Sequence, residues 1–483
     1  MLLSNVLKNT QVLNQFEDVE INSITYKTTQ QLKGSVFVCL SGIKIDGAIF
    51  AQQAIEKGAV AIVVERDVKL PNQIIVKNSR IALGSMANVF FGSPTQQLKL
   101  IAVTGTNGKT SVATTVSEVL NKIGHKCGLF STIKISYDEK SVAPLTTTPG
   151  PFYLMSILKE MACSGCEFVA MEASSHALDQ NRLSECEFEV AIFTNLTQDH
   201  LDYHKNMEEY YKAKRKLFLG AKFGIINIDN DYGVRLTKEI DTDYFTYSTQ
   251  NPHADFFAED IKLMSDQVKF TVTYNDIKVR ITFAIPGMYS VHNALAVVAT
   301  CVKLGAPLKK ISEALSEFEG IDGRCEVIKT CSDFTVISDY AHTPDGIKNI
   351  ISSVKATSNA KVISVFGCGG DRDKLKRPLM AQAVTSLSDY TVITTDNPRT
   401  EDPQQIINDI LPGVAENAQY SVIVNRKEAI EFALDYAKAG DIVLLLGKGH
   451  ERYQIIGNEK IEFDERLIVT GYLRQKFMEE TNE

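Results

Sequence analysis

The sequence predicts an α/β fold of several domains built on mostly parallel sheets, and three observations carry that expectation. At 483 residues the chain is longer than one hydrophobic core organises, so about two to four domains are expected. Short β-branched apolar runs alternate with helical patterns along almost the whole chain, as strands of a parallel sheet alternate with the helices that cover it. A glycine turn, Gly105-Thr-Asn-Gly-Lys-Thr110, joins a strand-like apolar stretch to a helix-like one, which is how such folds hold phosphate groups.

The elements fall into three blocks. In the first, residues 35–41 read as a strand, 46–57 as a helix closed by Gly58, and 59–65 as a second strand, with a domain end near Thr95, so the domain spans 1–95. The second block, 96–326, opens with the strand-like run 100–103, the glycine turn and the helix 111–123, which ends before Gly124. Further strand-like runs follow at 168–172, 190–195 and 224–228, separated by helical patterns. The third block, 327–483, repeats the alternation with strands at 336–339, 362–366, 390–394, 421–424 and 441–446. Its charged loops follow the strands, where open α/β sheets bind ligands.

Composition excludes several classes. Lys and Arg number 51 against 59 Asp and Glu, a net charge of −8, which argues against a nucleic-acid or anionic-membrane partner drawn by bulk charge. The chain opens on no basic-then-apolar leader, and no stretch approaches the ~20 apolar residues a membrane span needs, so a cytoplasmic protein is expected. Nine scattered cysteines fit reduced thiols better than a disulfide framework. Cys163 and Cys166 form a C-x-x-C, but without a second pair at zinc spacing they read as a helix end.

The glycine turn carries most of the chemistry. Backbone N–H groups of Gly105, Thr106, Asn107, Gly108 and Ser111, with the helix dipole, suit a nucleotide phosphate; Lys109 can reach the terminal phosphates and the Thr110 hydroxyl can ligate Mg²⁺. Only Thr106 and Asn107 separate the two glycines, a shorter spacing than usual. Glu172 ends an apolar strand, so its carboxylate is placed either to share that Mg²⁺ or to cap the surface. Residues 194–204 are dense in Asn, Asp and His, which populate both metal sites and ordinary turns. In the next segment Met207, Tyr210, Tyr211, Leu217 and Phe218 share one helical face with Lys214 in its middle. A lysine there either snorkels past the apolar face or is paired, deprotonated or modified, because an unpartnered buried ion costs several kcal/mol.

Taken in order, the short phosphate turn, Met171-Glu-Ala-Ser-Ser-His176, Asn195-Leu-Thr-Gln-Asp-His-Leu-Asp202, His292-Asn293, Gly323-Arg-Cys-Glu326 and Asp339-Tyr-Ala-His-Thr-Pro-Asp-Gly346 resemble the Mur ligase family of ATP-dependent, amide-forming enzymes of cell-wall precursor synthesis. The resemblance spans the chain and implies an N-terminal UDP-substrate domain, a central P-loop ATPase domain and a C-terminal Rossmann-like domain. It implies an acyl-phosphate route in which Lys109, Glu172, His200 and Lys214 are catalytic. Lys214 would carry a CO₂-derived carbamate, and Mg²⁺ would sit on Thr110, Glu172, His200 and that carbamate. Asn293, Arg324 and Asp339 would contact ATP. Thr147, Thr148, Ser174, Gln180 and Arg182 would contact the UDP substrate, together with Thr28, the one hydroxyl kept where relatives carry Asp-Ser-Arg.

Within the family, Gly369-Gly-Asp-Arg-Asp-Lys-Leu-Lys-Arg-Pro378, Asp396-Asn-Pro-Arg399 and Gly447-Lys-Gly-His-Glu451 look like the branch that extends UDP-N-acetylmuramoyl-L-alanyl-D-glutamate by a third residue, meso-2,6-diaminopimelate. That amino acid has a distal carboxylate, which a guanidinium binds through two parallel hydrogen bonds. Arg372 and Arg399 are the expected clamps, with Asp396, Asn397, Pro398 and Gly447 shaping the pocket and Glu451 taking the far ammonium. A monomer acting on small molecules, without nucleic acid or membrane, is expected. The rivals are the same ligase using L-lysine, a folylpolyglutamate synthase-like ligase, and a nucleotide-binding regulator without enzymatic activity.

Overall fold

The computed structural model describes residues 1–42 and 45–482, and its architecture is α/β with four sheets. The first is a four-stranded parallel sheet of Ser23–Thr25, Ser35–Val38, Ala61–Val64 and Gln73–Ile75. The expected helix over 46–57 is here two pieces, a 3-10 turn Gly47–Phe50 and a helix Ala51–Glu56. The tight entry explains the break: Asp46 caps the turn by accepting from Ala48 N at 3.0 Å, and a Cβ on Gly47 would stand 2.6 Å from the Leu40 carbonyl.

The central sheet has eleven strands. Its middle is parallel, with Lys99–Thr104 between Phe168–Glu172 and Phe188–Phe193. The flanks are antiparallel: Phe256–Leu263, Val268–Tyr274 and Ile277–Phe283 form a meander at one edge, and Cys127–Phe130, Ile135–Tyr137 and Lys140–Val142 turn back at the other. Edge strands that alternate inward and outward residues tolerate one solvated face, whereas the middle strands are buried along nearly their whole length.

A six-stranded sheet follows, ordered Glu326–Ile328, Thr335–Asp339, Ile442–Leu446, Val362–Phe366, Tyr390–Ile393 and Tyr420–Val422, parallel except for the first pair. A small hairpin, Tyr453–Ile456 with Glu459–Glu462, leans on its ligand edge through Arg399 and Ile456. One apolar cluster runs from the central sheet through helices Met288–Lys303 and Pro344–Thr357 into this third unit. The carboxyl ends of both large sheets therefore face one cleft of about 540 Å³.

Candidate active site

The phosphate turn sits where the carboxyl ends of three parallel strands converge. Gly105 has φ +151°, and a Cβ there would collide with Thr194 Oγ1; at Gly108, φ +86°, it would fall 2.6 Å from Asn293 Oδ1. Gly108 also precedes helix Lys109–Lys122 without a side-chain cap, which leaves the first N–H groups and the dipole free for an anion. Lys109 Nζ donates to the carbonyls of Gly105 (2.9 Å) and Thr106 (2.8 Å). Lys214 Nζ donates to the same Gly105 oxygen at 2.7 Å, is 1 % exposed and lies 4.5 Å from the centre of the Tyr210 ring. Burial, reinforced by the Lys109 ammonium, holds the Lys214 amine well below the ordinary lysine range, and burial lowers Lys109 as well.

Thr110, Glu172 and His200 line the cleft, while Lys214 lies behind the phosphate turn. Glu172 is buried and accepts from Thr132 N (2.6 Å) and Thr132 Oγ1 (3.1 Å), a partner the sequence reading missed. His200 adopts φ +54° at the start of helix Leu201–His204; its Nε2 is 3.4 Å from Asp199 Oδ2, and burial pushes the imidazole down to about 3. Among the described residues no three His, Cys, Asp or Glu side chains converge as a ready metal cage. A metal at Thr110, Glu172 and His200 would need a further anion, such as a nucleotide phosphate or a carbamate.

Thr110 Oγ1 accepts from Arg324 Nη2 at 3.0 Å. Arg324 reaches in from the segment between the two large sheets and packs on Tyr340 at 4.8 Å. Its Nε is buried and has no hydrogen-bond partner among the described residues, the state of a donor built to meet an anion. Asp339 receives the N–H groups of Cys325 and Ala341, each at 2.7 Å; burial raises its pKa and Arg324 opposes that. Asn293 closes the nucleotide wall beside His292, whose Nε2 lies 2.9 Å from Asp229 Oδ2. Asp229 was not anticipated, because it comes from a separate strand end.

The residues expected to hold the UDP substrate divide. Thr147 and Ser174 line the cleft. Thr148 is buried, donating to the Glu172 carbonyl (2.7 Å) and accepting from Ser174 N (3.1 Å). Gln180 Oε1 accepts from Arg182 Nη2 (2.7 Å), and Arg182 Nη1 donates to the Thr148 carbonyl (2.7 Å), so this half-buried pair is tied to the loop that carries Thr147 and Thr148. Thr28 lies in the first sheet's unit, away from the cleft wall, with its carbonyl accepting from Lys57 Nζ at 3.2 Å.

The opposite wall comes from the third unit. Arg372, Asp396, Asn397, Arg399, Gly447 and Glu451 line it, and Pro398 packs its carbonyl against Gly370 behind them. Arg399 has φ +52° and donates from Nη1 to the Gly370 carbonyl at 2.7 Å; burial and the neighbouring Arg372 lower its pKa. Arg372 is exposed, with Nη1 on the Asp371 carbonyl at 3.0 Å. Asn397 Nδ2 donates to Glu451 Oε2 (2.9 Å), and the fully buried Lys448, which the sequence reading did not single out, donates to Asn397 Oδ1 (3.1 Å) and Glu451 Oε2 (3.2 Å). Gly447 has φ +107°, and a Cβ on it would press 2.6 Å from Asp396 Oδ2.

Known proteins resemble this chain over nearly its whole length. Three family models match: "Mur ligase family, catalytic domain" over residues 20–99, "Mur ligase middle domain" over 103–301 and "Mur ligase, glutamate ligase domain" over 323–449. The UDP-N-acetylmuramoyl-L-alanyl-D-glutamate--2,6-diaminopimelate ligase 1 of Clostridium acetobutylicum is 42% identical over 465 residues, 95% of this chain and 96% of that protein. The enzyme of the same name from Clostridioides difficile is 42% identical over 482 residues, 98% of this chain and 99% of that one. A solved UDP-N-acetylmuramoyl-L-alanyl-D-glutamate--2,6-diaminopimelate ligase superposes with a TM-score of 0.67 at 30% identity, covering 95% of each chain.

Proposed function

The chain belongs to the Mur ligase family, and on that premise we propose that it joins meso-2,6-diaminopimelate to UDP-N-acetylmuramoyl-L-alanyl-D-glutamate in peptidoglycan precursor synthesis. As an ATP-dependent, ADP-forming ligase it transfers the γ-phosphoryl group to a substrate carboxylate, and the amine then displaces phosphate to leave an amide. The observation that carries the reading is the two-sided cleft: a phosphate turn with Lys109 and Arg324 on one wall, and Arg372, Arg399 and Glu451 on the other. One wall suits a triphosphate, and the other suits an amino acid with both a distal carboxylate and an ammonium.

The first step brings two anions together, so charge must be offset where they meet. Lys109 and the N–H groups after Gly108 face the phosphates, and Arg324 Nε, without a partner among the described residues, adds a donor beside them on the same wall. Thr110, Glu172 and His200 would hold Mg²⁺, with Lys214 completing the set as a carbamate; bound there, the ion supplies Lewis-acid charge to the phosphate oxygens. The buried, depressed amine of Lys214 supports that modification, because only a neutral amine reacts with CO₂. Gly105, Thr106, Asn107 and Ser111 cradle the nucleotide with Asn293 and Asp339. Thr147, Thr148, Ser174, Gln180 and Arg182 meet the UDP substrate, and Thr28 meets its far end. The enzyme acts as a cytoplasmic monomer on small molecules; among the described residues no helix is long and apolar enough to cross a membrane.

The decisive experiment is a coupled ADP-release assay with substrates omitted one at a time. Release should require ATP, the UDP-muramoyl dipeptide and diaminopimelate together. Equal release without the UDP substrate, or release supported by a folate, would defeat the reading.

A further inference from the structure

Lys376 is the first residue of helix Lys376–Leu387, and its side chain is 8% exposed. A cation there faces the positive end of the helix dipole and has lost its water, two unfavourable placements at once. The next residue, Arg377, is buried too, but its counter-ions Glu401 (2.8 Å) and Asp409 (2.7 Å) belong to the same unit. Lys376 instead pairs across the cleft: Nζ lies 3.1 Å from Oδ1 of Asp199, itself 5% exposed, on the loop between strand Phe188–Phe193 and helix Leu201–His204. Asp199 also faces His200 Nε2 at 3.4 Å and, from the third unit, His342 Nε2 at 3.9 Å. A buried pair is seldom worth more than apolar packing of the same size, so fold stability alone does not account for this one. Lys376 also lies four residues after Arg372, and both side chains line the cleft.

We propose that the Asp199–Lys376 pair is a latch that sets the diaminopimelate pocket in register with the phosphate turn, an inference that rests on the ligase reading above. Among the described residues the ion-pair partner of Lys376 is Asp199 of the central unit, so its counter-charge arrives when the C-terminal unit is docked on that one. Docking it brings Arg372 over the cleft and holds the loop that carries His200. Lys376 is thus a positioning residue, acting through Asp199 and through its own loop.

The test is Lys376→Met, which keeps length and removes charge. Misregister of reacting groups by about 1 Å costs on the order of 100-fold, so kcat should fall by about that factor while KM for ATP and for diaminopimelate stays near the unaltered values. Lys376→Arg should recover much of the loss. Small-angle X-ray scattering with MgATP should match the closed arrangement for the unaltered protein and an extended one for Lys376→Met. Unaltered kcat and scattering in Lys376→Met would overturn the latch, as would a loss carried wholly by KM for diaminopimelate. Should Lys376→Met fail to fold, Asp199→Asn read by scattering alone decides, and a closed profile there overturns it. An unaltered protein that closes but makes no diaminopimelate product refutes the ligase reading and leaves the latch standing.

Discussion

The two walls of the cleft solve opposite electrostatic problems. On the phosphate wall the cationic donors meet carbonyls and a hydroxyl rather than carboxylates: Lys109 donates to the Gly105 and Thr106 carbonyls, Arg324 Nη2 donates to Thr110 Oγ1, and Arg324 Nε is buried without a partner among the described residues. On the amine wall Lys448, Asn397 and Glu451 are bonded to one another, while Arg399 rests on the Gly370 carbonyl and is left for a ligand carboxylate to meet. The first wall is unsatisfied until anions arrive and so serves reactivity. The second offers a fixed arrangement that a ligand must match, and so serves selection, since a wrong ligand leaves buried polar groups unpaired.

The largest effect should come from the phosphate wall. Lys109→Ala should lower kcat by about 10²–10³-fold or more with any amine, the scale of losing one preorganised donor to developing charge, measured as ADP release. Lys214→Ala should be similarly impaired, yet partly rescued by a small carboxylic acid in excess, whereas Lys214→Arg should not be rescued. Full activity in either Lys214 variant would remove the carbamate from the scheme and reduce the contrast between the walls.

On the amine wall the effect should appear as selection. The unaltered protein should prefer meso-diaminopimelate over L-lysine by up to roughly 10⁴-fold, because lysine leaves Arg399 without a carboxylate. Arg399→Ala should raise KM for diaminopimelate far more than KM for ATP. Equal use of the two amino acids would leave the ligase standing and break the assignment of this wall.

Acid should weaken both halves. Burial holds His204, in the central unit, down to about 4, and His450, beside the amine wall, down to about 3, the latter with Arg324, Arg466 and Lys448 pushing the same way. The unfolded chain binds these protons near pH 6.5 while the folded chain refuses them, so stability is fully present above about 6.5 and falls as pH drops towards those values. Urea midpoints between pH 7 and 4.5 should decline, with a shallower slope in His450→Gln. A flat profile would contradict the neutral, buried imidazoles.

The smallest effect should be Arg372→Ala. Its guanidinium is exposed and bonds only a neighbouring carbonyl here, so KM for diaminopimelate should rise less than in Arg399→Ala. Steady-state assays of the two variants side by side order the clamps, and an Arg372 effect exceeding that of Arg399 would reverse their roles.

Sequence alone determined what depends on neighbours along the chain. The α/β alternation, the strand Phe168–Glu172, the glycine turn and the buried stripe carrying Lys214 all follow from local periodicity, because a strand or helix face is written in the spacing of its own apolar residues. Motif order did the same for the family and for the run Asp396–Arg399, which stands on one loop. Tertiary structure decided what is joined across distance. Thr132 holding Glu172, Asp229 holding His292, Lys448 bridging Asn397 and Glu451, and Asp345 meeting Asn107 at 2.8 Å pair residues from separate loops. It also tied Gln180 and Arg182 to the Thr148 carbonyl and turned the central sheet antiparallel at both flanks. Periodicity reports which face of an element is buried but not which other element covers it, so a charge such as Lys376 has no visible partner until the sheets are assembled around one cleft.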